Sequence, residues 1–245
     1  MSEAEWRACP FAWDMWDFVW SRSGDRKKLL FAAACCRRVW PYLDRPESRE
    51  AVEVAERLAD GLAGKEDRIR ARKAAGRAAE GARDDPRGWA AGAAHEALEW
   101  WDGHYDGGGV LMQVMDVAGE AAYRAACPRS PEYDPNHPAG KAGWLAEGAA
   151  LAGLLRCVFG PLPFRPVTVS PARLAWQGGA VAKLARAAYE ERSLPSGELD
   201  PARLAVLADA LEEAGCSAAE LLGHLRLHAP HVRGCWAVDL LLGAT

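Results

Sequence analysis

The sequence predicts an all-α protein, an irregular multi-helix bundle of roughly ten helices that also reads as solenoid-like helix pairs. Three observations predict it. Apolar residues recur at helical spacing from end to end, and helix starts are marked again and again by a capping residue followed by proline. Only 166–169 alternates as a strand does, and it is too short to build a sheet.

The elements follow in order. Ser2-Glu3-Ala4-Glu5 reads as a capping box, and Pro10 opens a helix that spaces Trp13, Trp16 and Trp20 along one face. Asp25 starts the next, with Leu29, Ala33, Cys36 and Trp40 as its apolar stripe and Pro41 as its end. Pro46 stands at the first position of a helix through Leu62, followed by an Ala-rich helix over 65–83. Asp84-Asp85-Pro86 stops that helix and caps another, to about Trp101. Gly107-Gly108-Gly109 reads as a loop, Leu111 to Cys127 as a helix, and Lys141 to Phe159 as the next. Ser170-Pro171 and Asp200-Pro201 are cap-plus-proline starts of helices ending near Arg192 and Gly215. Ser217 with Glu220 suggests a further capping box, and Pro230 the start of the last helix.

The chain of 245 residues, half of them hydrophobic and 26% charged, is long enough to bury a core without staples. A single domain, 1–245, is expected, with four prolines between 128 and 138 forming an internal loop that separates two lobes, 1–127 and 139–245. A net charge of −4, with neither half basic, lacks the footprint of a nucleic-acid binder. No run of about 18 apolar residues suggests a membrane span, and MSEAEWRACP lacks the pattern of a secretory leader. Seven scattered cysteines fit free, buried thiols in a reducing cytoplasm better than a disulfide framework.

The stretch HLRLHAPHVRGCWAVDLLLG, 224–243, concentrates the chemistry. On a helix begun at Pro230, His231, Cys235 and Asp239 share one stripe of an otherwise apolar segment. One reading is a buried polar stripe; free cysteine is among the most buried residue types, and a buried Asp239 needs a partner, for which Arg233, Arg37 and Arg38 are at hand. The other is a metal site. Thiolate with imidazole favours zinc, His231 and Cys235 have ligand spacing, and Cys216 or His224 can complete the set. The adjacent Cys35 and Cys36 point different ways on a helix and make poor joint ligands. A Cys235 nucleophile activated by His231 would need a more exposed setting than an apolar helix beside Trp236 offers.

Elsewhere the sharp readings are weaker. His95, Glu99 and Asp102 share a helical face, but AHEALEWWD is not a zinc-protease motif, and a solvated face opposite Trp100 and Trp101 explains it. Between Lys65 and Arg77 six basic residues face two acidic ones without sharing one side, so a solvated helix competes with a phosphate contact.

Four stretches carry a resemblance: FAAACCRRVW, FRPVTV at 164–169, LAVLADALEEAGC at 204–216 and HVRGCWAVDLLLG. Together they resemble an uncharacterised, lineage-expanded family of helical proteins from planctomycete bacteria. The similarity is concentrated at 1–60 and 156–243, around a variable Ala-rich middle. The resemblance implies that the two chain ends form one unit and assigns no activity. In that family a cysteine often follows the residue matching His224, where this chain has Leu225.

The functional expectation is a non-enzymatic protein-interaction or assembly module, needing no cofactor and binding an unidentified partner or itself. Eleven tryptophans exceed what such a core needs, and Trp13, Trp16, Trp20, Trp100 and Trp101 are the candidate interface anchors. The alternative is a zinc-binding helical protein using His231, Cys235, Cys216 and His224. Third comes a nucleic-acid module through helix 65–83.

Overall fold

The computed structural model describes residues 1–80, 85–99, 108–130, 132–161 and 163–244. Among these the chain is all helix and connection, with two isolated bridge pairs and no strand. The first half runs α1 (Glu3–Ala8), α2 (Ala12–Trp20), α3 (Asp25–Arg38), α4 (Pro46–Ala59), α5 (Lys65–Glu80), α6 (Pro86–Glu96) and α7 (Gly108–Ala126). The second runs α8 (Pro138–Phe159), α9 (Pro171–Leu174), α10 (Trp176–Glu190), α11 (Pro201–Glu213), α12 (Ala219–Leu225) and α13 (Trp236–Leu242).

Most starts obey the capping chemistry in the sequence. Ser2 and Glu5 close a reciprocal capping box at α1. Asp85 and Asp200 accept backbone N–H groups at α6 and α11, each followed by proline at the first helical position. Four expectations are corrected. α7 begins at Gly108, so two glycines of the expected loop belong to its first turn. The helix expected over 170–192 is broken, because Gln177, Gly178 and Gly179 take left-handed backbone angles in the first turn of α10, just after α9. Ala218 caps α12 with no side-chain bond, so no box forms from Ser217 and Glu220.

The last helix starts at Trp236 rather than at Pro230. Its expected first turn is tied to another segment instead. Val232 pairs with Glu198, and the Leu199 N–H donates to the His231 carbonyl at 2.7 Å. Gly234 then turns the chain at φ +84°, with a Cβ there only 3.0 Å from Leu30 Cβ.

The proline-rich loop joins α7 and α8, which pack along each other, while α8 also packs on α2, α3 and α13. Phe31 and Phe159, from opposite sides of that loop, meet with tilted rings 6.3 Å apart in one continuous core, so the two expected lobes share their interior. By length and composition α8 is apolar enough to cross a membrane, contrary to the sequence expectation; its alanines and leucines raise its hydropathy, and Leu151, Leu154, Leu155 and Phe159 are buried inside the bundle.

Candidate metal centre

Four side chains converge below the C-terminal helix: Cys157, His224, His231 and Cys235, with one ligand atom of each inside a cluster no wider than 4.8 Å. Cys157 comes from the last turn of α8, His224 from the last turn of α12, and Cys235 is the residue before α13. His231 lies in the connector that Glu198 and Leu199 hold extended. Gly160 lets α8 end beside α13: at φ +51° it turns the chain where a Cβ would collide with the Trp236 indole.

Three of the spacings fall where those of a tetrahedral metal site would. His231 Nδ1 stands 3.7 Å from Cys157 Sγ and 3.8 Å from Cys235 Sγ, and His224 Nε2 stands 3.3 Å from Cys235 Sγ. With zinc–sulfur bonds of about 2.3 Å and zinc–nitrogen bonds of about 2.0 Å, the edges of a tetrahedron fall at about 3.3–3.8 Å. The free nitrogen of His231 is also accounted for. Its Nε2 lies 3.1 Å from the Leu227 carbonyl; with the proton there, the Nδ1 lone pair faces the sulfurs. His224 is braced by the His231 ring at 4.7 Å and the Trp236 ring at 5.1 Å.

The electrostatics suit a thiolate. Burial pushes the Cys235 thiol up, but the Cys157 hydrogen bond and the two imidazoles outweigh it and hold Cys235 well below the ordinary thiol range. Cys157 is driven the opposite way, first by the hydrogen bond it gives Cys235 and then by burial. Burial pulls His231 down, yet its bond to the Cys235 sulfur leaves it raised overall. Cys157, His231 and Cys235 are buried and His224 is partly so.

The structure thus brings together three of the four ligands expected from sequence and replaces the other. Cys216 is buried at the turn between α11 and α12 and stands outside the cluster. Cys157 was missed because it sits in an apolar helix, remote in sequence from the histidines; its only local signal was a thiol one turn before a helix end.

Asp239 is buried and paired, but with other cations than those expected. Lys27 Nζ and Arg26 Nη1 each stand 2.6 Å from its Oδ2. Arg26 also reaches Asp60, as does Arg233 at 3.5 Å, so Arg233 joins the network only through that second carboxylate. Arg37 instead binds Glu56, which Arg192 also holds, and Arg38 binds Glu147. The polar cluster expected from Arg37, Arg38, Arg233 and Asp239 is therefore three separate ion-pair groups. The two arginines differ because Arg37 faces α4 inside the bundle while Arg38 faces α8 nearer the surface.

Of the candidate anchors, Trp13 is 40% exposed, Trp16 is buried and Trp20 is half-buried; Trp100 and Trp101 lie outside the described residues, as does Asp102. His95 binds the Arg72 carbonyl through Nδ1, and its Nε2 stands 3.6 Å from Glu99. In α5, Arg68 is buried, Arg70 pairs with Asp67 and Arg72 with Glu99; 81–83 of the basic stretch lie outside the described residues.

No protein-family model matches the chain, and neither a curated protein nor a solved structure matches it.

Proposed function

We propose that this chain is a zinc-stapled helical module, in which Cys157, His224, His231 and Cys235 hold one structural zinc ion and the domain so fixed serves recognition rather than catalysis. The supporting observation is the cluster itself: two sulfurs and two imidazole nitrogens within 4.8 Å of one another, three of their separations at tetrahedral-edge values, with the second nitrogen of His231 set against a carbonyl. Four protein ligands fill a tetrahedron and leave no place for a reacting water, which favours a structural role. Ligand thiols, with all seven cysteines unpaired, suit a reducing, cytoplasmic setting.

The test is metal content by mass spectrometry on protein purified under reducing conditions without chelator. One zinc per chain is expected, lost in C157A/C235A and kept in C216A. A metal-free chain that still unfolds cooperatively would overturn the reading.

One observation favours a specific mode of recognition. Phe11, Trp13, Met112, Trp144 and Leu145 are all exposed and border one groove of about 310 Å³ between α2, α7 and α8. Soluble monomers seldom expose so many large apolar side chains together. Its α2 wall carries exposed Asp14 and Asp17 and no basic residue, and Asp116 binds the Trp144 indole on the far side. The occupant that fits is an amphipathic helix with lysines beside its apolar face. A labelled Leu/Lys helical peptide should bind and a Leu/Glu one should not, with L145E abolishing the signal. Equal binding of both peptides, or loss of monodispersity without peptide, would overturn that partner.

A further inference from the structure

A second cleft lies on the other side of Trp236 from the thiols, with a volume of about 310 Å³. Such a volume lies at the lower end of the roughly 300–1,000 Å³ of small-molecule sites. Its walls are apolar: Val19, Phe159, Pro163, Val167, Trp236 and Leu240. Its charged lining is Lys27 and Asp239, both buried, and Arg22 at the exposed rim.

Among the described residues the charge around it does not cancel. Asp239 is shared between Lys27 and Arg26, and Asp60 between Arg26 and Arg233, so three cations are joined to two carboxylates. Tyr189 donates to Asp60 at 2.6 Å as a neutral phenol and adds no charge. Lys27 gives its three N–H groups to Asp239 and to the Val158 and Gly234 carbonyls, so it is fixed in place and contributes charge without a free donor. Arg22 donates to the Phe18 carbonyl and lies over the Phe18 ring at 4.4 Å; it has no carboxylate partner among the described residues. A buried surplus positive charge beside an apolar cavity attracts an anion strongly, because low-polarity walls screen it poorly.

We propose that this cleft binds a small amphipathic monocarboxylate, its apolar body against Trp236, Phe159 and Val167 and its head at Arg22 on the rim. Lys27 and Asp239 offset each other in the lining, so Arg22 is the cation there that matches one carboxylate, and the walls match an unbranched or aromatic body. The inference does not rest on zinc binding, since none of the four thiol and imidazole residues lines the cleft.

The experiment is calorimetric titration of the full chain, as purified, with octanoate, octan-1-ol and octylamine. Octanoate should bind at one per chain, at least about tenfold more tightly than either other probe. R22E, which alters an exposed side chain, should weaken octanoate by about tenfold while leaving the octanol response unchanged. V167F, which narrows the cleft, should abolish binding without loss of the thermal transition. Equal affinity for all three probes, full binding by V167F, or no heat from octanoate at millimolar concentration would overturn the proposal.

Discussion

Two pairs of buried cysteines differ in one member: three of the four thiols are pushed up and Cys235 alone is held down. Cys35 and Cys36 are neighbours in α3, yet both are pushed up, Cys36 to about 12, first by burial. Cys157 and Cys235 come from different ends of the second half and are just as buried, yet Cys235 is held well below the ordinary thiol range. What separates them is the company. The α3 pair points into a core of alanine, leucine and phenylalanine, where a thiol behaves as a small apolar group. The other pair meets two imidazoles whose geometry is fixed by a backbone carbonyl and an indole. Burial alone makes a cysteine inert; burial beside fixed imidazoles favours the thiolate, the form that can bind a metal.

The largest way to break the comparison is to take the metal away. If the second pair holds zinc, its binding free energy is folding free energy, on the order of 10 kcal/mol or more in small zinc domains. Here a large apolar core remains, so a smaller loss is expected, on the order of 5 kcal/mol, or a fall of about 10–20 °C in Tm. Thermal unfolding with and without a strong chelator measures it. C157A/C235A should unfold at the chelated temperature and ignore the chelator. An unchanged Tm would make the two pairs equivalent.

The opposition of burial and partners recurs at Glu56, which is buried between Arg37 and Arg192. Burial pushes its carboxyl up, and the hydrogen bonds and charges of the two arginines outweigh it, leaving a pKa of about 2. The folded value lies below the unfolded one, so the stabilisation is complete above about pH 4.5 and is lost as pH falls toward 2. A shift of that size corresponds to about 3 kcal/mol. E56Q should cost about 3–5 kcal/mol at neutral pH, because two guanidinium groups keep only a neutral partner. Its stability should also vary less between pH 4.5 and 2, as urea unfolding at several pH values would show. An unchanged acid slope would mean that other carboxylates dominate it.

How far each site was legible follows from where its signals lie in the chain. The caps at Ser2, Asp85 and Asp200 act within four residues, and each formed as read. His224, His231 and Cys235 were visible because they crowd one short segment, but the helix drawn through them was wrong. The bridge from Val232 to Glu198 is long-range pairing that local periodicity does not encode. Two charged residues did leave a readable mark. Lys27 stands in phase with the buried Leu30, Phe31 and Ala34, and Glu56 with Val52 and Ala59, so each interrupts an apolar stripe. A charge on such a stripe must be paired, and that reasoning would have directed Asp239 toward Lys27 instead of Arg37 or Arg38. The partner itself still depends on how the helices meet.

Chemical reactivity sharpens the comparison at a smaller scale. In the folded chain iodoacetamide should modify Cys9 and Cys127, the two partly exposed thiols, and spare both buried pairs. Once chelator is added, Cys235 should react at least about tenfold faster than Cys35 or Cys36, because only the thiolate attacks. Peptide mapping by mass spectrometry reads every site in one experiment. Equal rates at the two pairs would mean that global unfolding, rather than local thiolate character, exposes them.

Cys216 gives the smallest effect and the most discriminating one. It is buried and lies near the histidines in sequence, which is why it qualified as a ligand there, yet its sulfur stands outside the cluster. It should therefore behave like the α3 pair. C216A removes one buried sulfur from an apolar site, a change of about 1 kcal/mol. C36A should cost about the same. Neither substitution should alter zinc stoichiometry or the response to chelator, and both should lower Tm by only about 2–4 °C. If C216A released the metal while C157A kept it, the shell would be rearranged toward the α11–α12 turn, and Cys157 would belong with the inert thiols.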